Sequence, residues 1–72
     1  GSIGVVVTLV DPDRTDIGLR RGDLIIQVNQ VDVWLPEQVV AAYNEAKKAG
    51  RKELLLLVER VNGFRFMALP VR

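Results

Sequence analysis

The stretch Gly18-Leu19-Arg20-Arg21-Gly22-Asp23-Leu24-Ile25-Ile26-Gln27-Val28-Asn29 reads as a turn running into a strand. Gly22 suits a backbone angle forbidden to side-chain-bearing residues, and Asp23 can accept hydrogen bonds from the amides of the turn. Beyond it Leu24, Ile26 and Val28 alternate against Asp23, Ile25 and Gln27, which assigns the first set to the core face and leaves the other face mixed. These positions read as determinants of the fold. Asp23 has no partner acid or metal ligand at a suggestive spacing, so a catalytic carboxylate is rejected.

Outward from this stretch the elements fall into place. Towards the N-terminus, Ile3 to Val10 is dense in β-branched residues and predicts a strand that Asp11-Pro12-Asp13 ends. Arg14 to Leu19 then predicts one short helix, with Asp13 as its cap. Towards the C-terminus, Asn29-Gln30 is a weak turn signal before a short strand at Val31-Asp32-Val33. The main helix is expected from Pro36 to Ala49, with Pro36 and Glu37 suited to its first turn and Gly50 to its stop. Val39, Ala42 and Ala46 share its core face, while Val40 and Tyr43 form an adjoining apolar stripe. Trp34, just before the helix, is undecided between core and exposed anchor. A strand at Glu53 to Arg60, a turn at Asn62-Gly63 and a strand from Phe64 to Leu69 close the chain as a hairpin, with Pro70 as the stop. The fold class is α+β on an antiparallel sheet, one domain over residues 3–72. The opening Gly1-Ser2 reads as an expression scar.

Composition removes several function classes. The 72 residues contain no Cys and no His, and the single Ser is Ser2. A serine–histidine or cysteine–histidine nucleophile therefore cannot be assembled from them, and neither can a thiolate or imidazole metal cage. No catalytic residue, no metal ligand and no cofactor is expected. Ten basic against nine acidic side chains, net charge +1, give no field that argues for nucleic acid. The cluster Lys47, Lys48, Arg51 and Lys52 falls where cations meet the negative end of a helix dipole. Apolar runs such as Leu54 to Val58 are too short to span a bilayer, which takes about twenty residues.

The stretch 18–29 resembles the G-L-x-x-G-D-x-I-x-x-V-N pattern of bacterial PDZ domains. With Gly4-Val5-Val6-Val7 through Asp11-Pro12 and the closing Ala68-Leu69-Pro70, the chain is most similar to the C-terminal PDZ domain of Do-like (high-temperature-requirement) serine proteases. That resemblance implies a small antiparallel β-sandwich or partly open barrel with one main and one short helix, and a location in the bacterial periplasm. It also implies a non-catalytic module that takes hydrophobic peptide C-termini or unfolded segments by strand addition, tethering substrate to the protease domain of the parent chain or regulating it. Carried onto this sequence, the groove residues are Pro36, Val40 and Tyr43 from the helix and Ile3, Gly4 and Val5 from the first strand.

The chain departs from the family at three places. Arg14-Thr15-Asp16-Ile17 is bulkier and more charged than the usual small-residue stretch, and Asn29-Gln30 stands for the usual Asn-Gly. The family's aromatic-apolar-Gly-apolar carboxylate loop and the strand after it precede the Gly-Val-Val-Val strand, and here only the scar and Ile3 do. Ile3-Gly4-Val5 has an apolar-Gly-apolar form that mimics the loop, although its position fits the following strand better. Without the loop, millimolar peptide affinity and self-association through residues 3–10 are expected. The alternative function is a structural interaction or oligomerisation domain that packs against sister domains and binds no free peptide.

Overall fold

Leu24–Val28 forms the strand, β2, around which the sheet is arranged in the computed structural model, which describes residues 3–7 and 18–71. In chain order the elements are β1 (Val5–Val6), β2, β3 (Val31–Asp32), α1 (Pro36–Lys48), β4 (Glu53–Arg60) and β5 (Gly63–Pro70). The sheet runs β1-β2-β4-β5, with β3 also paired to β2, and every pairing is antiparallel. Val5 opposes Ile25 and Val6 opposes Leu24, while Ile25 on its other side opposes Val58. This is the expected α+β, PDZ-like architecture: among the described residues, one helix on an open antiparallel sheet. Of the short helix expected over Arg14 to Leu19, residues 14–17 lie outside the described residues, as do residues 8–10 of the expected first strand, and Gly18 and Leu19 are not helical.

Alternating side chains on β4 build the core. Leu54, Leu56 and Val58 are wholly buried, and Ile25, Val28, Val33 and Ala46 close around them. The helix delivers Val39, Ala42 and Ala46 to this core as its 3.6-residue period requires. It starts without a side-chain acceptor at Leu35. Instead Gln38 reaches back, its Oε1 accepting from the amides of Trp34 at 2.6 Å and Leu35 at 2.8 Å. At its other end Gly50, at φ +71°, donates to the Lys47 carbonyl, so the helix stops where the sequence places the stop.

The strict alternation expected along β2 is broken. A bulge between Ile25 and Gln27 leaves Ile26 as the extra residue opposite β4, and the phase of the strand shifts by one. Ile25 and Val28 therefore both point into the core, whereas Leu24 and Ile26 are only half-buried. The hairpin turn is also displaced from its expected place. Arg60 pairs with Gly63, so Val61 and Asn62 form the turn and Gly63, at φ +118°, opens β5. Pro70 does not stop β5 but ends it as a member, opposite Glu53. Because the Val71 amide donates to Lys52 O at 2.9 Å, Pro70 occupies a non-hydrogen-bonded ladder position where a missing N–H costs nothing.

Asn29 and Gln30 turn the chain from β2 to β3 with φ of +50° and +67°, the two left-handed residues of a type I′ hairpin. Asn29 also completes the β2–β4 ladder. Its amide donates to Leu55 O at 2.7 Å, and its side-chain Oδ1 accepts from the Leu55 amide at 3.1 Å, in place of a backbone carbonyl.

The loop before β2 is fastened by Asp23, which is buried. Its Oδ2 accepts from the Arg20 amide at 2.8 Å, the turn contact expected of this residue. Arg60 on β4 then grips both carboxylate oxygens, Nε on Oδ1 at 3.0 Å and a terminal nitrogen on Oδ2 at 2.9 Å. The same terminal nitrogen donates to Gly18 O at 2.6 Å. Burial by itself pushes the Asp23 carboxyl up, but the Arg60 side chain, the Arg20 amide and the two positive charges outweigh it and hold the group below the usual carboxylate range. A carboxyl lowered on folding stabilises the protein above its unfolded value of about 3.9 and loses that contribution as pH falls through the lowered folded value. Thermal denaturation followed from pH 7 to pH 2 is therefore expected to show a loss of stability below about pH 4 that Asp23→Asn diminishes. Arg60→Met is expected to cost about 3 kcal/mol in urea unfolding at pH 7, because it strands a buried carboxylate.

Candidate functional site

Of the groove residues expected from the sequence, those on the helix lie on the side facing away from the β2–β3 hairpin. Pro36 is exposed at the first helical position, and Val40 is 58% exposed. Tyr43 is half-buried and packs against the core cluster, so it spans the boundary between the interior and that face. The opposite side of α1, carrying Gln38, Ala41, Ala42 and Glu45, faces a separate concavity completed by Asn29, Val31 and Asp32.

On the first strand, Ile3 is 79% exposed, while Val5 is half-buried, pairs with Ile25 and packs against the core. Gly4 sits where the backbone crosses β2. A Cβ there would lie 2.5 Å from the Ile25 carbonyl oxygen and 3.1 Å from Ile26 Cγ2. Its glycine is thus explained by close approach of two backbones. Among the described residues β1 is paired on one side only, with β2, and its other edge carries unpaired backbone groups.

The structure brings Ile3 together with Trp34, which the sequence left undecided and which is 54% exposed. With Ile26, Asp32 and Val33 these residues line a cavity of about 590 Å³. Val40 and Tyr43 are not among its described lining residues. A further apolar surface was not foreseen. Met67 and Leu69 point from β5 to the core, so Phe64 and Phe66 face outward, both 62% exposed, opposite Glu59 and Leu57. The alternation Phe64-Arg65-Phe66-Met67 carried the signal, but only the pairing tells which phase is outside. Lys47 and Lys48 end α1 in its last turn, as a helix dipole favours. Among the described residues there is no cluster of three or more acidic side chains placed to hold a metal ion, and no helix is long and apolar enough to cross a membrane.

These features define a small antiparallel α+β module with an open strand edge and exposed apolar side chains. No family model matches the chain. It is similar to a segment of proteins named "Probable periplasmic serine endoprotease DegP-like". In Rhizobium meliloti (strain 1021) the identity is 41% over 70 residues, 94% of this chain and 14% of that protein. In Brucella suis biovar 1 (strain 1330) it is 44% over 70 residues, with the same shares covered. In Rickettsia conorii (strain ATCC VR-613 / Malish 7) it is 33% over 69 residues, 96% of this chain and 13% of that protein. The chain thus spans only about one seventh of the length of these relatives, whose names carry the periplasmic location expected from the sequence.

Gly4→Ala is expected to destabilise the protein by roughly 1–3 kcal/mol, since the added methyl has only backbone to displace. Chemical denaturation checks it. A neutral outcome would mean that β1 is free to move away from β2.

Proposed function

We propose that this chain is a non-catalytic, polypeptide-binding PDZ module of a periplasmic serine protease. It takes hydrophobic chain ends or unfolded segments by adding them as a strand to the free edge of β1, and so tethers substrate to the protease domain or regulates it. The observation that carries this reading is that β1 is paired on one side only among the described residues, with Val6 exposed on it and Ile3 exposed just before it. A strand laid on such an edge satisfies the unpaired backbone groups, and apolar side chains beside it supply selectivity. Val40 and Tyr43 are the helix residues assigned to that second task, and Ile3, Gly4 and Val5 supply the edge. The absence of His and Cys from the sequence favours a binding role over a catalytic one.

Titration with a hydrophobic peptide carrying a free C-terminus, followed by amide chemical shifts, tests the reading. Shifts at residues 3–7 and along the Pro36-Val40-Tyr43 side of the helix are expected. Shifts confined to the last strand, or none at several times a millimolar ligand concentration, would sink it. Val40→Asp is expected to weaken binding about tenfold while changing stability by no more than about 0.5 kcal/mol, because the residue is exposed.

A second reading, packing against sister domains without binding free peptide, is favoured by the outward Phe64 and Phe66. Sedimentation velocity separates the two. Association that rises with concentration and disappears in Phe66→Ser supports packing through β5, and association lost in Val6→Lys instead points to self-pairing along residues 3–10.

A further inference from the structure

We propose that the cavity lined by Ile3, Ile26, Asp32, Val33 and Trp34 is a subsite for one lysine or arginine side chain of a polypeptide laid along β1. The inference rests on the strand-addition reading and adds a chemical preference to it. Ile3, two residues before β1, forms part of the cavity, so a segment following the strand edge passes over it. Ile3, Ile26 and Val33 are aliphatic and match the methylene stem of a long basic side chain. The indole of Trp34 offers the ring face that attracts a cation most strongly. Asp32 is the sole charged residue among the described lining, and it is negative.

Three further contacts fix the frame of the cavity. The backbone leading into the indole is pinned: Val33 N donates to Ile26 O at 3.1 Å, and Trp34 N donates to Gln38 Oε1 at 2.6 Å. Asp32 is pinned through Gln27, whose Nε2 donates to Oδ1 at 3.0 Å, and the residue is otherwise exposed. With the backbone of Trp34 fixed and the carboxylate of Asp32 held by Gln27, part of the ordering cost of binding a cation here is met before it arrives. No basic side chain stands among the described lining residues, so an acidic side chain would meet Asp32 without a cation between them, and a purely apolar one would leave Asp32 without a charge partner.

Trp34 is the only tryptophan of the chain, so its fluorescence reports on the cavity directly. The probes are pairs of hydrophobic peptides that differ at one position, lysine in one and norleucine in the other, with the position moved along the peptide. At one position the lysine peptide is expected to bind roughly three- to tenfold more tightly and to change the Trp34 emission. Asp32→Asn and Trp34→Leu, both at exposed sites, are each expected to shrink that preference while the norleucine affinity stays within about twofold. The subsite is overturned if norleucine binds as well as lysine at every position, or if the lysine preference survives both substitutions. In that event amide shifts along β1 still uphold strand addition. If neither peptide binds at all, strand addition and the subsite fall together.

Discussion

The bidentate grip of Arg60 on Asp23 is the contact on which the remaining geometry depends. It ties the loop at residues 18–23 to the far end of β4 across 37 residues of sequence. The loop in turn ties β1 into the sheet, because Gly22 N donates to Val7 O at 2.7 Å and Val7 N donates to Asp23 O at 2.8 Å. Three segments of the chain therefore converge at Asp23, β1 through its backbone and Arg60 through its carboxylate. Desolvating that group is expensive, and two guanidinium N–H donors and the Arg20 amide offset that cost. Asp23 is thus an organiser of structure, which agrees with its rejection as a catalytic acid.

The edge of β1 follows from this fixed base. β1 itself is two residues long, too short to define a surface alone, but its register is set by Ile25 on one side and by the close passage at Gly4. The helix approaches from the other direction on Ala46, whose small side chain lets α1 lie close to β4. The stripe of Val40 and Tyr43 and the entry at Trp34 are consequences of that placement. A rigid scaffold carrying exposed apolar groups at a strand edge is the arrangement that recognition by backbone pairing requires.

Much of this was legible in the chain itself. The helix and β4 have long, clean periodicities, and both lie where the pattern puts them. The phase of β2 differs from the alternation of its sequence because a bulge adds one residue without a compositional mark. Yet the G-L-x-x-G-D-x-I-x-x-V-N pattern keeps Ile25 and Val28 apolar, three apart, which is the spacing a bulge produces. The turn at Val61-Asn62 was placed one residue late, since a glycine can serve either inside a turn or just after it. Arg60 as the partner of Asp23 has no local signal at all. On the site side, the apolar stripe of Val40 and Tyr43 could be read from helical spacing, with Val40 exposed and Tyr43 half-buried against the core. The cavity at Trp34 could not, because it exists only once Ile3 and Ile26 are brought together by strand pairing.

The turn joining β2 to β3 has a consequence for how this domain could be improved. Gln30 holds a left-handed backbone at φ +67° without the freedom of glycine or the self-solvating side chain of asparagine. Such a residue stores about 1 kcal/mol of conformational strain, and here the strain lies at an exposed tip. The domain therefore carries an unused reserve: its hairpin keeps the shape of an ideal tight turn while its sequence is not the ideal one. A glycine in that position would release the reserve without touching the core, the carboxylate of Asp23 or the strand edge, which makes this tip the natural starting point for a thermally hardened version of the module.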